Sequence, residues 1–284
     1  MVPTTHRILR DLTIYARLYS RLTFLMQCYF HKMKKLKTNN IRLFIDAKKL
    51  SPDLEIEITN NDFHYLTKVM RSKQGDQLYI FNGIDGEFSA SISQIDKKSL
   101  ILKAIEQTAP QKDTANVTLA FALIKNVKID IIATKATEMG VKNFQPLISQ
   151  HTIPDKLNSE RFSVNIKEAC EQCQRTDVPT LKEVKKLDKF LKEDDSNKLY
   201  ILCDETLFEK EEGRALKVLS DLTSKKLLKN KEIVILIGPE GGFSKGEFEA
   251  MYQKENLHKI SLGTRILKTD TAIISALALV GEFV

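Results

Sequence analysis

The sequence predicts an α/β protein in which a mostly parallel sheet, covered by helices on both faces, follows a small β-barrel. Three observations predict it. From residue 41 to about residue 109, short alternating runs are separated by turn signals. Beyond Thr114, apolar strand-like runs alternate with helical ones. One of those runs, "EIVILIGPEGG", ends in a glycine-proline turn at the place where open α/β sheets take their ligands. A chain of 284 residues is comfortable for two domains and has room for a sizeable core.

Composition narrows the class. The chain is 42% hydrophobic and 29% charged, and no apolar stretch approaches the ~20 residues of a membrane-spanning helix, so no membrane partner is expected. Cys28, Cys170, Cys173 and Cys203 are too scattered for a disulfide framework, which fits a reducing, cytoplasmic compartment. The net charge of +7 is unevenly placed. Arg7, Arg10, Arg17, Arg21, Lys32, Lys34, Lys35 and Lys37 face Asp11 alone in residues 1–40, leaving 36 of the 44 basic and 36 of the 37 acidic residues for the rest. The body is neutral, so any nucleic-acid reading has to rest on local groups.

Residues 1–40 form a basic extension in which Ile8, Leu12, Tyr15, Tyr19, Leu22 and Met26 share one helical face, although Ile14, Leu18 and Leu25 interrupt the polar one. An organelle presequence or an interfacial helix fits this pattern. A start assigned too far upstream, with Met33 as the true first residue, is the favoured reading.

The runs "IRLFI", "EIEIT", "QLYIF", "EFSASI" and "LILKAI" are the expected barrel strands, with turns at Lys73-Gln74-Gly75-Asp76 and Asn82-Gly83-Ile84-Asp85-Gly86. Between them "NDFHYLTKVMRSKQGD" reads as one helix capped by Asn61 or Asp62. Residues 110–113 are polar and serve as a linker. The α/β part then runs "VTLAFAL", "KIDIIATKATEMG", "FQPLIS", "RFSVNIKEACEQCQR", "KLYILCD", a long charged helical stretch, "EIVILIG", "KGEFEAMYQKE", "KISLG" and "TAIISALALVGEF".

The turn "IGPEGG" is not G-x-G-x-x-G and lacks the Lys-Ser/Thr of a P-loop, so phosphate cradling is not supported. Bare glycine backbone can instead approach an adenine or ribose closely. Ser244-x-x-Glu247 reads as a capping box for the next helix. Taken alone, a tight strand-to-helix turn without ligand explains these residues equally well. In "SLGTRILKTDTAIISALALV" a strand ends at Gly263, a loop carries Arg265 and Lys268, and Thr269 or Asp270 caps a helix apolar nearly all round, as in a core or a subunit interface. "IKEACEQCQRTDVP" gathers Glu168, Glu171, Gln172 and Arg175 at helical spacing.

Together, "HYLTKVMRSKQGD", "KATEMGV", "EACEQCQRTDVP", "IGPEGGFSKGEFE" and "LGTRILKTDTA" resemble, in order, the RsmE family, whose members methylate N3 of one uridine in 16S ribosomal RNA. The resemblance covers residues 41–284. It implies a PUA-like RNA-binding barrel over residues 41–110 and a SPOUT methyltransferase domain over residues 114–284, whose deep trefoil knot binds S-adenosyl-L-methionine. It also implies a homodimer with sites at the subunit interface, acting on 16S rRNA within the small ribosomal subunit. On this resemblance Gly238, Pro239, Glu240, Gly241 and Gly242 form the first cofactor loop, and Leu262, Gly263, Arg265, Ile266 and Leu267 the second. Arg42, His64, Arg71 and Arg175 are the implied RNA contacts, by gripping phosphate or stacking on a splayed base. For His64 and Arg71, a surface pair serving solubility is the competing reading.

Two departures stand out. Many members read Arg-Thr-Glu-Thr-Ala where this chain has Lys268-Thr269-Asp270-Thr271-Ala272, which keeps the charges but loses the planar guanidinium fork. "SQHTIPDK", residues 149–156, stands where an arginine-serine pair is expected. The implied reaction is in-line methyl transfer without metal or covalent intermediate, driven mostly by orientation. A cation beside the uridine stabilises the anion left when N3 loses its proton; Arg175 and Lys268 are the candidates, with Glu171 as a weaker proton acceptor.

Cys170-x-x-Cys173 has no second pair to complete a zinc site and reads as a buried helical face, and the five histidines pair with no nucleophile. The lysine-rich run 182–195 reads as a solvated face. The alternatives are a related SPOUT enzyme acting on another rRNA or tRNA, and a non-catalytic RNA-binding ribosome-assembly protein.

Overall fold

The computed structural model describes residues 41–124, 126–153, 156–207 and 210–284, so the expectations placed on the basic extension lie outside the described residues. The first sheet contains β1 (Arg42–Phe44), β2 (Glu55–Ile58), β3 (Gln77–Phe81), β4 (Glu87–Ile95) and β5 (Leu100–Ala109), in the order β1-β3-β4-β5-β2. All its ladders are antiparallel except β1 with β3. Alternation along β4 buries Phe88, Ala90 and Ile92 and turns the serines between them outward, which is the period of a half-buried strand. Three register shifts between β4 and β5 bend this hairpin. Among the described residues no ladder joins β1 to β2, so hydrogen bonding leaves the barrel open there.

The turn before β4 is built by side chains. Asn82 Oδ1 accepts the amides of Ile84 and Asp85, and Asp85 Oδ2 accepts from Asn82 Nδ2 and the Leu50 amide. Gly86 closes it at φ 81°, where an added Cβ would lie 2.3 Å from the Ala109 carbonyl oxygen, so only glycine fits.

The predicted helix after β2 is two pieces: α1 (Asn60–His64), then a π-helical turn over Tyr65–Val69. Its N-cap is Thr59 and not Asn61 or Asp62, with no side-chain cap bond. Thr67 Oγ1 donates to the Phe63 carbonyl at 2.7 Å, and Leu66 is buried beneath the turn. His64 and Arg71 are exposed at its two ends.

The second sheet carries β6 (Val117–Ala122), β7 (Asn143–Ile148), β8 (Thr180–Leu181), β9 (Lys185–Lys186), β10 (Lys198–Cys203), β11 (Glu232–Ile237) and β12 (Leu257–Ile260). Its order is β12-β10-β11-β6-β7-β8, with β9 also on β7, and every ladder is parallel. The helices are α2 (Asn126–Glu138), α3 (Ser159–Cys173), α4 (Leu187–Leu191), α5 (Ala215–Ser224), α6 (Lys245–Tyr252) and α7 (Thr269–Gly281). Alternate residues feed two cores: Leu119, Phe121, Ile201 and Ile235 join Phe144, Phe162, Ile273 and Leu277 on one face. Ala120, Tyr200, Leu202, Val234 and Leu236 join Leu187, Phe190 and Met251 on the other. Two-sided burial is why these strands read as continuous apolar runs.

The lysine-rich run is not merely a solvated face, because β9 pairs with β7 and α4 buries Leu187 and Phe190. The charged stretch before α5 contains two short 3-10 turns, Glu205–Leu207 and Glu211–Gly213. The cap of α7 is Lys268, one or two residues earlier than expected, while Asp270 Oδ1 accepts the Thr271 amide.

Candidate functional site

An open cleft lies at the carboxyl ends of β10, β11 and β12. Three segments wall it. Cys203, Asp204 and Glu205 leave β10; Ile237, Gly238, Pro239 and Glu240 leave β11; Ser261, Leu262, Gly263, Arg265, Ile266, Leu267, Thr269 and Ala272 follow β12 into α7. The cofactor loops expected from the sequence therefore meet here. Gly241 and Gly242 are not on the wall but shape the turn behind it: the Gly242 amide donates to the Pro239 carbonyl at 2.9 Å, and Gly242 holds φ 68°. A Cβ there would come within 2.7 Å of Glu205 Oε1. The predicted capping box is present, with Ser244 Oγ accepting the Glu247 amide and Glu247 Oε2 accepting the Ser244 amide.

Glu247 has a second partner. Its Oε1 accepts the Gln150 amide at 2.8 Å, and beside it His151 Nδ1 lies 3.1 Å from the carbonyl oxygens of both Gly241 and Gly242. The segment that lacks the expected arginine-serine pair is thus tied to the first glycine loop.

The β10 end of the wall was missed by sequence reasoning, along with Ile237, Ser261, Thr269 and Ala272. The available signal was that "YILCDE" ends a strand adjacent to the glycine-bearing one. Asp204 is buried; its Oδ1 accepts from Thr206 N and Oγ1, and its Oδ2 accepts from Tyr252 Oη at 2.6 Å. Burial, and then the Asp204 charge, pushes the Glu205 carboxyl above its usual range. Thr269 Oγ1 donates to the Gly238 carbonyl at 3.4 Å, joining the segments that follow β11 and β12.

The implied catalytic residues do not gather here, with one exception. Lys268 is exposed between the lining residues Leu267 and Thr269. Arg175 sits at the amino ends of β6 and β7, the opposite end of the sheet. Its guanidinium donates to Asp177 Oδ1 and Oδ2, to the Thr137 and Val141 carbonyls and to Thr114 Oγ1, which occupies all five N–H groups. Arg175 is therefore corrected from a catalytic or RNA-gripping residue to a structural one.

Arg42 is corrected in the same way. It is buried, its Nε pairs with Glu87 Oε2 at 2.7 Å, and its other nitrogens donate to the carbonyls of Cys170, Glu171 and Arg175. It joins β1 to the end of α3 and has no surface to offer RNA. Glu171 Oε1 accepts the Phe44 amide of β1, placing this carboxylate at the same junction and not at the cleft. Burial first, then Asp62 and Glu168, raises it to about 7.

Residues 110–281 match the family model described as RNA methyltransferase domain, and residues 58–105 match RNA methyltransferase PUA domain. The chain is 35% identical over 238 residues to the ribosomal RNA small subunit methyltransferase E of Rickettsia conorii, covering 84% of this chain and 93% of that one. It is 28% identical to the Bacillus subtilis protein of the same name, over 84% and 94% of the two chains. Among solved structures, a Legionella pneumophila protein in complex with bound SAM superposes with a TM-score of 0.72 at 27% identity, covering 86% of this chain and 98% of that one. The fold is also that of the Neisseria gonorrhoeae ribosomal RNA small subunit methyltransferase E bound to S-adenosyl methionine, with a TM-score of 0.71, 21% identity and coverage of 84% and 95%. With the two predicted loops meeting at one cleft and relatives matched over most of their length, the chain belongs to the ribosomal RNA small subunit methyltransferase E family.

Proposed function

We propose that this protein transfers a methyl group from S-adenosyl-L-methionine to N3 of one uridine in 16S ribosomal RNA. The observation that carries the reading is the cleft, whose three walls include the two glycine-bearing loops, on a fold shared with a SAM-bound relative. The wall suits this cofactor: Ile237, Leu262, Ile266, Leu267 and Ala272 offer apolar surface to an adenine, and Gly238 and Gly263 leave main chain uncovered for its polar edge. Asp204 and Glu205 supply negative charge toward a cation.

When bound, the cofactor supplies an electrophilic methyl group on a positively charged sulfur. The protein's own contribution is to hold and orient, through the loops 238–242 and 262–267. Lys268 places an ammonium at the cleft edge, where it favours the uridine anion over the neutral base. His64 and Arg71, exposed on the α1 and π-helical segment, are the proposed RNA contacts on the PUA-like barrel. That barrel, residues 41–110, selects the substrate and residues 114–284 carry the chemistry. The target is 16S rRNA in the small ribosomal subunit, in the cytoplasm; among the described residues no helix is long and apolar enough to cross a membrane. A homodimer is supported by α7, which leaves Ile274 and Ala278 exposed although its other face is buried. The trefoil knot is proposed from family membership.

Mass-spectrometric mapping of 16S rRNA from cells lacking the protein tests this reading. Loss of a single N3-methyluridine is expected, restored by the wild-type protein and not by Ala272→Phe, which fills the cleft. An unchanged 16S rRNA together with loss of a methyl group from another RNA would overturn the substrate assignment.

A further inference from the structure

The structure leaves the uridine N3 proton without the one acceptor expected from the sequence, because Glu171 faces β1 and not the cleft. His151 stands beside the cleft, against Gly241, which follows the lining residue Glu240. It leaves the carboxyl end of β7 and packs on the bare Cα of Gly241, where an added Cβ would lie 3.3 Å from the His151 Cβ. Its Nδ1 lies 3.1 Å from two carbonyl oxygens, of Gly241 and Gly242. A carbonyl oxygen only accepts, so Nδ1 must carry the hydrogen. In the neutral ring the lone pair then belongs to Nε2. The ring is exposed, and among the described residues Nε2 has no hydrogen-bond partner.

We propose that His151, with its Nδ1–H held by the glycine-loop carbonyls, is the general base that takes the N3 proton of the target uridine on Nε2. This inference rests on the proposed function. The N–H bonding pair stays on N3 and forms the new N–C bond, while the pair of the old S–C bond returns to sulfur. The proton remains on the imidazolium until it is released to solvent. A base tied to the backbone of the cofactor loop moves with that loop, which keeps proton acceptor and cofactor in register. Among the described residues, the nearby acidic groups are Glu247 of α6, bonded to the adjacent Gln150, and Glu205 after β10, behind Gly242.

Asparagine separates a base from a staple, since its Nδ2 can still donate to the carbonyls but has no basic nitrogen. His151→Asn should bind S-adenosyl-L-methionine within about twofold of wild type by calorimetry, yet lose about 10²-fold or more in single-turnover methylation. His151→Ala should lose both binding and turnover. Independently of activity, ¹⁵N NMR of the free protein should show the neutral His151 ring protonated at Nδ1. Near-wild-type turnover in His151→Asn, or a neutral ring protonated at Nε2, would overturn the assignment. If wild-type protein binds no S-adenosyl-L-methionine and modifies no RNA, the proposed function itself fails and the base role falls with it.

Discussion

Arg175 and Asp177 form a two-point ion pair, Nε to Oδ1 at 3.1 Å and Nη2 to Oδ2 at 2.6 Å, just beyond the left-handed Gln174 that ends α3. Both side chains are largely buried, and breaking such a pair strands a charge. Arg175→Ala should lower stability by about 3–5 kcal/mol in urea denaturation. Arg175→Lys should recover only part of it, because an ammonium cannot span the same five acceptors.

Arg42 makes a comparable commitment between β1 and the end of α3. Arg42→Ala removes the Glu87 pair and three carbonyl partners, and about 2–4 kcal/mol of stability is the expected loss. RNA affinity of the folded fraction, followed by gel shift, should not change. A selective loss of RNA binding at unchanged stability would restore the RNA-contact reading.

Glu171 ties stability to pH. Its folded-state value of about 7 lies above the ordinary 4.5, so the folded protein holds this proton more tightly than the unfolded chain does. Its contribution is therefore fully present below about 4.5 and is lost as pH rises through about 7. Glu171→Gln keeps an acceptor for the Phe44 amide without the charge. It should be more stable than wild type at pH 8 by about 1–3 kcal/mol and nearly equal to it at acid pH, as read from paired urea melts.

Two glycines only four residues apart should respond in opposite directions. Gly242→Ala forces a side chain into φ 68° and against Glu205, so about 1 kcal/mol or more of stability should be lost and S-adenosyl-L-methionine should bind more weakly. Gly246 lies inside α6 with open space around its Cα. Gly246→Ala should raise stability by up to about 1 kcal/mol without affecting binding. Calorimetry and thermal melts on both variants check the pair.

Lys268 is exposed and accepts no structural burden, so Lys268→Ala should melt like wild type. If its ammonium stabilises the uridine anion, single-turnover methylation should fall about 10²-fold with little change in cofactor affinity. Lys268→Arg should keep most of the rate.

Much of the architecture could be read in the chain itself, because the responsible signals are local. Period-two alternation marks β4, continuous apolar runs mark β10 and β11, and glycine with a Ser-x-x-Glu box marks the turn into α6. The same locality explains the omissions. Two-residue strands such as β8 and β9 carry no period, and Leu187 and Phe190 were hidden among lysines. The π-helical turn after α1 has no composition of its own.

The site divides along the same line. Local sequence determined the loop proposed to hold the cofactor, since a strand end, bare glycines and a helix cap lie within a few residues of one another. Only the tertiary structure decided what the charged residues do. Arg42 meets Cys170 across 128 positions, Arg175 meets Thr114 across 61, and His151 meets Gly241 across 90. A guanidinium or an imidazole takes its role from the partners that surround it in the folded chain. Those partners are chosen by packing between distant elements, which no window of sequence contains.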